Sequence, residues 1–137
     1  MKLVVQVQLV VVREQRSALE QTMRRANAAC NWLSERAWEA STFRQFAIHK
    51  LAYHPARAKF PDLSSQVLVR AIAKVADSYK LDRAKRRTFR PLGSIAYDAR
   101  ILSWNISTET VSIWTTAGRL ALAFQCGDHQ RALLAYE

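Results

Sequence analysis

The hydrophobic period of this chain changes twice, and those two changes limit the fold more than any other feature of the sequence. In "MKLVVQVQLVVV" the apolar Leu3, Val5, Val7, Leu9 and Val11 fall on one side of an extended chain, with Gln6 and Gln8 on the other. Period two with β-branched residues predicts a strand. From Glu14 the period lengthens. Leu19, Met23, Ala26, Cys30, Leu33 and Ala37 recur every three or four residues, the spacing of a buried stripe on a long helix, with Arg16, Arg24 and Glu35 largely off it. Ser41-Thr42 breaks this helix, and Thr42-x-x-Gln45 has capping-box spacing for a second one, expected to end before Pro55. Phe60-Pro61-Asp62 reads as a turn. Val67, Leu68, Ala71, Ile72, Val75 and Tyr79 then mark a third helix, with Ser64 or Asp62 as its N-cap.

The period returns to two beyond Arg90. "SIAYD", "RILSWN", "TVSIWTT" and "RLALAFQ" read as four short strands, parted by turn signals at Asp98-Ala99, Ser107-Thr108-Glu109 and Ala117-Gly118. "DHQRALLAYE" closes the chain as the first turns of a helix. Strand, helices, then strands predicts an α+β fold in which the opening strand pairs with the later ones. The helices at 14–85 become an insertion into a small β-barrel built from 1–13 and 86–137.

Charge is placed as unevenly as hydrophobicity. Residues 1–40 hold six bases and four acids, 41–90 hold twelve and three, and 91–137 hold three and four. The basic character belongs to the middle of the chain, and its densest part is "KLDRAKRRTFR". There Lys80, Arg83, Lys85, Arg86, Arg87 and Arg90 face one acid, Asp82, with Phe89 among them and Pro91 and Gly93 at the end. Arg70 and Lys74, four apart on the third helix, extend this into a positive track of the kind phosphate binding requires. The competing reading is a solvated, solubilising face. Tyr97, Trp104 and Trp114 lie in short strands, where aromatics either stack on unpaired bases or fill a small core. Ser64, Ser65 and Gln66 open the third helix, where free N–H groups favour phosphate and a Gln can pair with adenine; simple capping explains them equally well.

Other chemistry has little support. Cys30 and Cys126 lie far apart with no C-x-x-C, and no cleavable leader is apparent, so both are expected as reduced thiols of a cytoplasmic protein. His49, His54 and His129 lack metal-ligand spacing, and no apolar run approaches the roughly 20 residues of a membrane helix. Asp98, Glu109 and Asp128 are single acids in turns, and there is neither a Gly-rich phosphate loop nor a nucleophile motif. No cofactor, metal or catalytic residue is expected.

"LVVQVQLVV", "ANAACNWLSERAW", "TFRQF", "SSQVLVRAIAKVADSYK", "RTFRPLGSIAYDARILSWN" and "VSIWTTAGRLALAF", in this order, resemble the N-terminal part of the TnpB (OrfB) proteins of insertion sequences, relatives of the type V CRISPR effectors. The resemblance covers essentially the whole chain, and "FRPLGSIAYDARILSWN" is its most specific piece. It implies an oligonucleotide-binding-like wedge barrel split by a three-helix recognition insertion, holding a guide RNA and helping to read a short motif beside the DNA target. By position, Phe43, Gln45 and Gln66 match the region that meets target DNA, and Lys74 to Arg90 the path toward the RNA. Such systems leave sequence reading to base pairing while protein contacts backbone and motif. The departure is large, because the RuvC nuclease carboxylates and the zinc ribbon of the family have no counterpart here. The chain stops at "LLAYE", where a typical member has barrel strands ahead, which suggests a truncated gene product, an expressed fragment or one half of a split protein. The expected function is a non-enzymatic module binding structured RNA and target-adjacent DNA. The alternative is an interaction subunit that completes a nuclease with a separate RuvC chain.

Overall fold

Seven elements follow one another in a computed structural model that describes residues 6–125 together with 127, 128 and 132. Strand β1 (Gln8–Val10) precedes helices α1 (Arg13–Glu39), α2 (Gln45–Lys59) and α3 (Ser65–Leu81). Strands β2 (Leu102–Asn105), β3 (Thr110–Thr115) and β4 (Gly118–Gln125) follow. The fold is α+β, with a four-stranded antiparallel open sheet in the order β1-β4-β3-β2. The opening strand pairs with β4, Leu9 opposite Phe124, so the three helices are inserted between neighbours of one sheet. The helical ending expected for "DHQRALLAYE" lies almost wholly outside the described residues, as do Cys126 and His129.

The chain divides into two compact units, residues 1–19 with 99–137, and residues 20–98. Residues 86–98, grouped with the strands on sequence grounds, fall in the helical unit. In that unit α1 buries Ala26, Ala29, Cys30, Leu33 and Ala37, α2 buries Ile48, Ala52 and Ala56, and α3 buries Val67, Leu68, Ala71, Ile72, Val75 and Tyr79. Alanine is frequent in all three stripes, which lets helix backbones approach closely. The Cys30 thiol meets the Ala71 carbonyl at 3.9 Å, and burial pushes its pKa up to about 11, so it stays protonated and unreactive at neutral pH.

Three local expectations are corrected. The helix α2 continues through Pro55 to Lys59. The carbonyl that loses a donor there belongs to Leu51, an exposed residue, while Ile48, Ala52 and Ala56 hold the stripe together on the other side. The Thr42 capping box does not form: Arg44 is the N-cap, without a side-chain bond, and Thr42 Oγ1 donates to the Ala40 carbonyl. "SIAYD" is not a strand. The Gly93 and Ser94 carbonyls accept from Asn27 and Lys74 side chains, so this extended segment pairs with helices rather than with another strand.

In the sheet unit, Val111, Ile113 and Thr115 of β3 and Leu122 and Phe124 of β4 are buried with Ile101, and the residues between them face the other way. A two-residue loop, Thr116-Ala117, joins β3 to β4, and Gly118 after it takes φ 110°, a region glycine enters without steric cost. Glu109 closes the β2–β3 turn at φ 51°, while the Asn105 side chain accepts from the Thr108 N–H and the Ser107 hydroxyl. Among the described residues no helix is long and apolar enough to cross a membrane.

Candidate nucleic-acid interface

The basic stretch leaves α3 at Asp82 and returns along α1 as an extended strap. Helix α1 presents Asn27, Asn31 and Ser34 at i, i+4 and i+7, one polar stripe beside its apolar one. The Arg87 N–H donates to the Tyr79 hydroxyl at 3.2 Å, and the Arg87 carbonyl accepts from Ser34 Oγ at 2.5 Å. The Phe89 N–H donates to Asn31 Oδ1 at 2.7 Å, and its carbonyl accepts from Asn31 Nδ2 at 3.0 Å. Asn27 Nδ2 then donates to the carbonyls of Pro91 at 3.2 Å and Gly93 at 2.9 Å. Two extended residues advance about 6.6 Å and three or four helix residues about 4.5–6 Å, so Arg87, Phe89 and Pro91 meet Ser34, Asn31 and Asn27 in turn, each about one helical turn nearer the start of α1, and Gly93 shares Asn27 with Pro91.

That register decides where the cations point. Residues 87, 89, 91 and 93 dock through their backbones, and the side chains between them, Thr88, Arg90 and Leu92, are exposed, as is Arg86 just before them. Lys85 is exposed as well. Glu35 lies 3.6 Å from Arg86 and Asp82 lies 3.7 Å from Arg87, both loose, half-exposed pairs. Among the described residues no carboxylate pairs with Arg83, Lys85 or Arg90. Arg83 sits over the Phe43 ring at 5.7 Å, and Phe43 in turn packs on Tyr79 at 4.7 Å. The product is a row of cations on a backbone held at both its donors and its acceptors.

Other residues singled out from the sequence have different places. Lys74 does not continue the positive track outward: its ammonium donates to Asn27 Oδ1 at 2.8 Å and to the Ser94 carbonyl at 2.5 Å, and lies 5.2 Å over the Phe89 ring. Arg70 is half-buried, its Nε without a hydrogen-bond partner, and it lines a small cavity with Cys30, Lys74 and Tyr97. Burial pushes the Tyr97 phenol up to about 12. Gln66 donates to the Asp98 carboxylate. Gln45 is exposed at the start of α2, Ser65 is exposed at the start of α3, and Lys80 pairs with Asp77 at 3.3 Å. Trp104 belongs to the sheet unit, where it meets Phe124 edge-on at 5.2 Å and keeps 37 % of its surface exposed.

Ser64 is the N-cap of α3, accepting from the Val67 N–H at 3.2 Å, while Asp62 makes two bonds to Arg25 at 2.7 and 2.9 Å. The Arg25 hydrogen bond holds the Asp62 carboxyl below its ordinary pKa. Ser64→Ala is therefore expected to cost about 1 kcal/mol of stability. Equilibrium denaturation checks that value, and nucleic-acid affinity measured on the same variant should be unchanged.

The residues missed from sequence are Asn27, Asn31 and Ser34. The available signal was polar side chains at helical spacing next to an apolar stripe, inside "ANAACNWLSERAW". Among the described residues no three His, Cys, Asp or Glu side chains gather where they could hold a metal ion. No family model matches the chain, and no curated protein or solved structure matches it.

Proposed function

We propose that the chain is a nucleic-acid-binding module of the TnpB type, gripping structured guide RNA along the strap and meeting target-adjacent DNA beside it. One observation carries the reading: from Arg87 onward the backbone of the most basic segment is held by side chains of α1 and α3, with Arg90 exposed on the held part and Lys85 and Arg86 exposed just before it. A solubilising face has no need of such fixing, whereas ordered cations on an extended backbone suit successive phosphates. On this reading the helical unit is the recognition insertion. The four-stranded sheet is part of an oligonucleotide-binding-like wedge barrel, consistent with its antiparallel order and with the pairing of β1 to β4. The module binds without cutting, and strand cleavage belongs to a separate RuvC-type domain.

Salt dependence tests the reading. About five phosphate contacts on a single strand give a slope near −3.5 in log K against log salt. Fluorescence anisotropy of a labelled RNA hairpin across a salt series is expected to return a slope of about that size. A slope near zero, or no binding at low salt, contradicts the proposal.

A further inference from the structure

A different cation marks the sheet unit. Arg119 is the sole charged residue of the four strands. Because Val111, Ile113, Leu122 and Phe124 face the core, Ser112 and the half-buried Trp114 of β3 and Arg119 and Ala121 of β4 share the opposite face, Trp114 directly across from Arg119, joined by Ser103 of β2 through its pairing with Ser112. Arg119 reaches diagonally across this face. Its Nε donates to Ser112 Oγ at 2.6 Å, its Nη2 to Ser103 Oγ at 3.2 Å and its Nη1 to the Arg100 carbonyl at 3.4 Å. All three nitrogens are thus held in the guanidinium plane by neutral oxygens, and among the described residues no carboxylate neutralises the charge. Ser103, Arg119 and Ala121 are exposed.

We propose that this outer sheet face is a second nucleic-acid contact, where the flat guanidinium of Arg119 stacks on an unpaired base of a single strand. The inference rests on the nucleic-acid reading above and assigns it a separate site. With three of its five N–H donors engaged by protein, the guanidinium plane is held in place and presents its face, and a planar cation stacks well on an aromatic base. Ser103, Ser112 and Ala121 have short side chains, Trp114 across from Arg119 adds a flat aromatic surface on the same face, and the strands themselves carry no acid to repel adjoining phosphates. Lysine at the same position keeps the charge but loses both the plane and the three-point anchorage.

The test compares a short oligoadenylate with an abasic strand of equal length and charge, each titrated into the full chain and into Arg119→Lys. The wild-type chain is expected to prefer the oligoadenylate by about tenfold, the scale of one stacked base. Arg119→Lys should bind the abasic strand as the wild type does and lose most of that preference. A Ser103→Ala, Ser112→Ala double variant, which frees the guanidinium without removing it, should lose part of it. Undiminished preference in Arg119→Lys, an equal loss for both strands, or no preference in the wild type overturns the stacking site while leaving the strap reading intact. Failure of the wild type to bind either strand overturns both.

Discussion

Replacing Lys85, Arg86 and Arg90 together by Glu should lower affinity for structured RNA by about a hundredfold at about 0.1 M salt. Each phosphate contact contributes about 0.7 log units per tenfold dilution of salt below about 1 M, so three contacts amount to about two log units. The salt slope should flatten by about 2 at the same time. Stability should move by no more than about 0.5 kcal/mol. These side chains are exposed, and the strap backbone is held by Asn31, Ser34 and Tyr79, which the variant keeps. Anisotropy titration and denaturant unfolding of the same preparation read both quantities. Unchanged affinity would return the strap to the role of a solvated face, and loss of folding would make these three residues structural.

The largest effect on stability is expected from Asn27→Leu. Asn27 is fully buried, donates to the carbonyls of Met23, Pro91 and Gly93, and accepts from the Lys74 ammonium. Leucine has nearly the same volume and none of these bonds, so two strap carbonyls lose a donor and a half-buried cation loses an acceptor. A buried polar group left unsatisfied costs about 1–3 kcal/mol, which places the total at about 2–4 kcal/mol. In a unit of this size that lowers the melting temperature by about 10–20 °C. Calorimetry or thermal circular dichroism reads the shift. If residues 86–94 were an ordinary surface loop, the change would stay within about 0.5 kcal/mol.

What the sequence revealed and what it hid follow from the range of each interaction. The period switches at Glu14 and beyond Arg90 are local, and they foretold α1, α3, β3, β4 and the pairing of the opening strand with a later one. Alternation in "SIAYD" is equally local, yet a strand also needs a neighbouring strand, and there the neighbours are α1 and α3. Asn27, Asn31 and Ser34 look like ordinary polar helix residues until a segment about sixty positions away is laid across them. The same long-range placement turned Lys74 inward to Asn27 and Ser94, and engaged Gln66 with Asp98. Helical spacing put Arg70 and Lys74 on one face but could not say that this face would be covered. Arg119 was a lone charge in a strand pattern, and its significance appears only when Ser103 and Ser112 are brought beside it by strand register.

The measurement that bears most directly on the strap is ultraviolet cross-linking of the full chain to a structured RNA, with the linked peptides mapped by mass spectrometry. Cross-links are expected to concentrate on peptides carrying residues 83–90 and to be lost when Lys85, Arg86 and Arg90 are changed to Glu. Cross-links that avoid 83–90 and persist in that variant would contradict RNA binding by the strap.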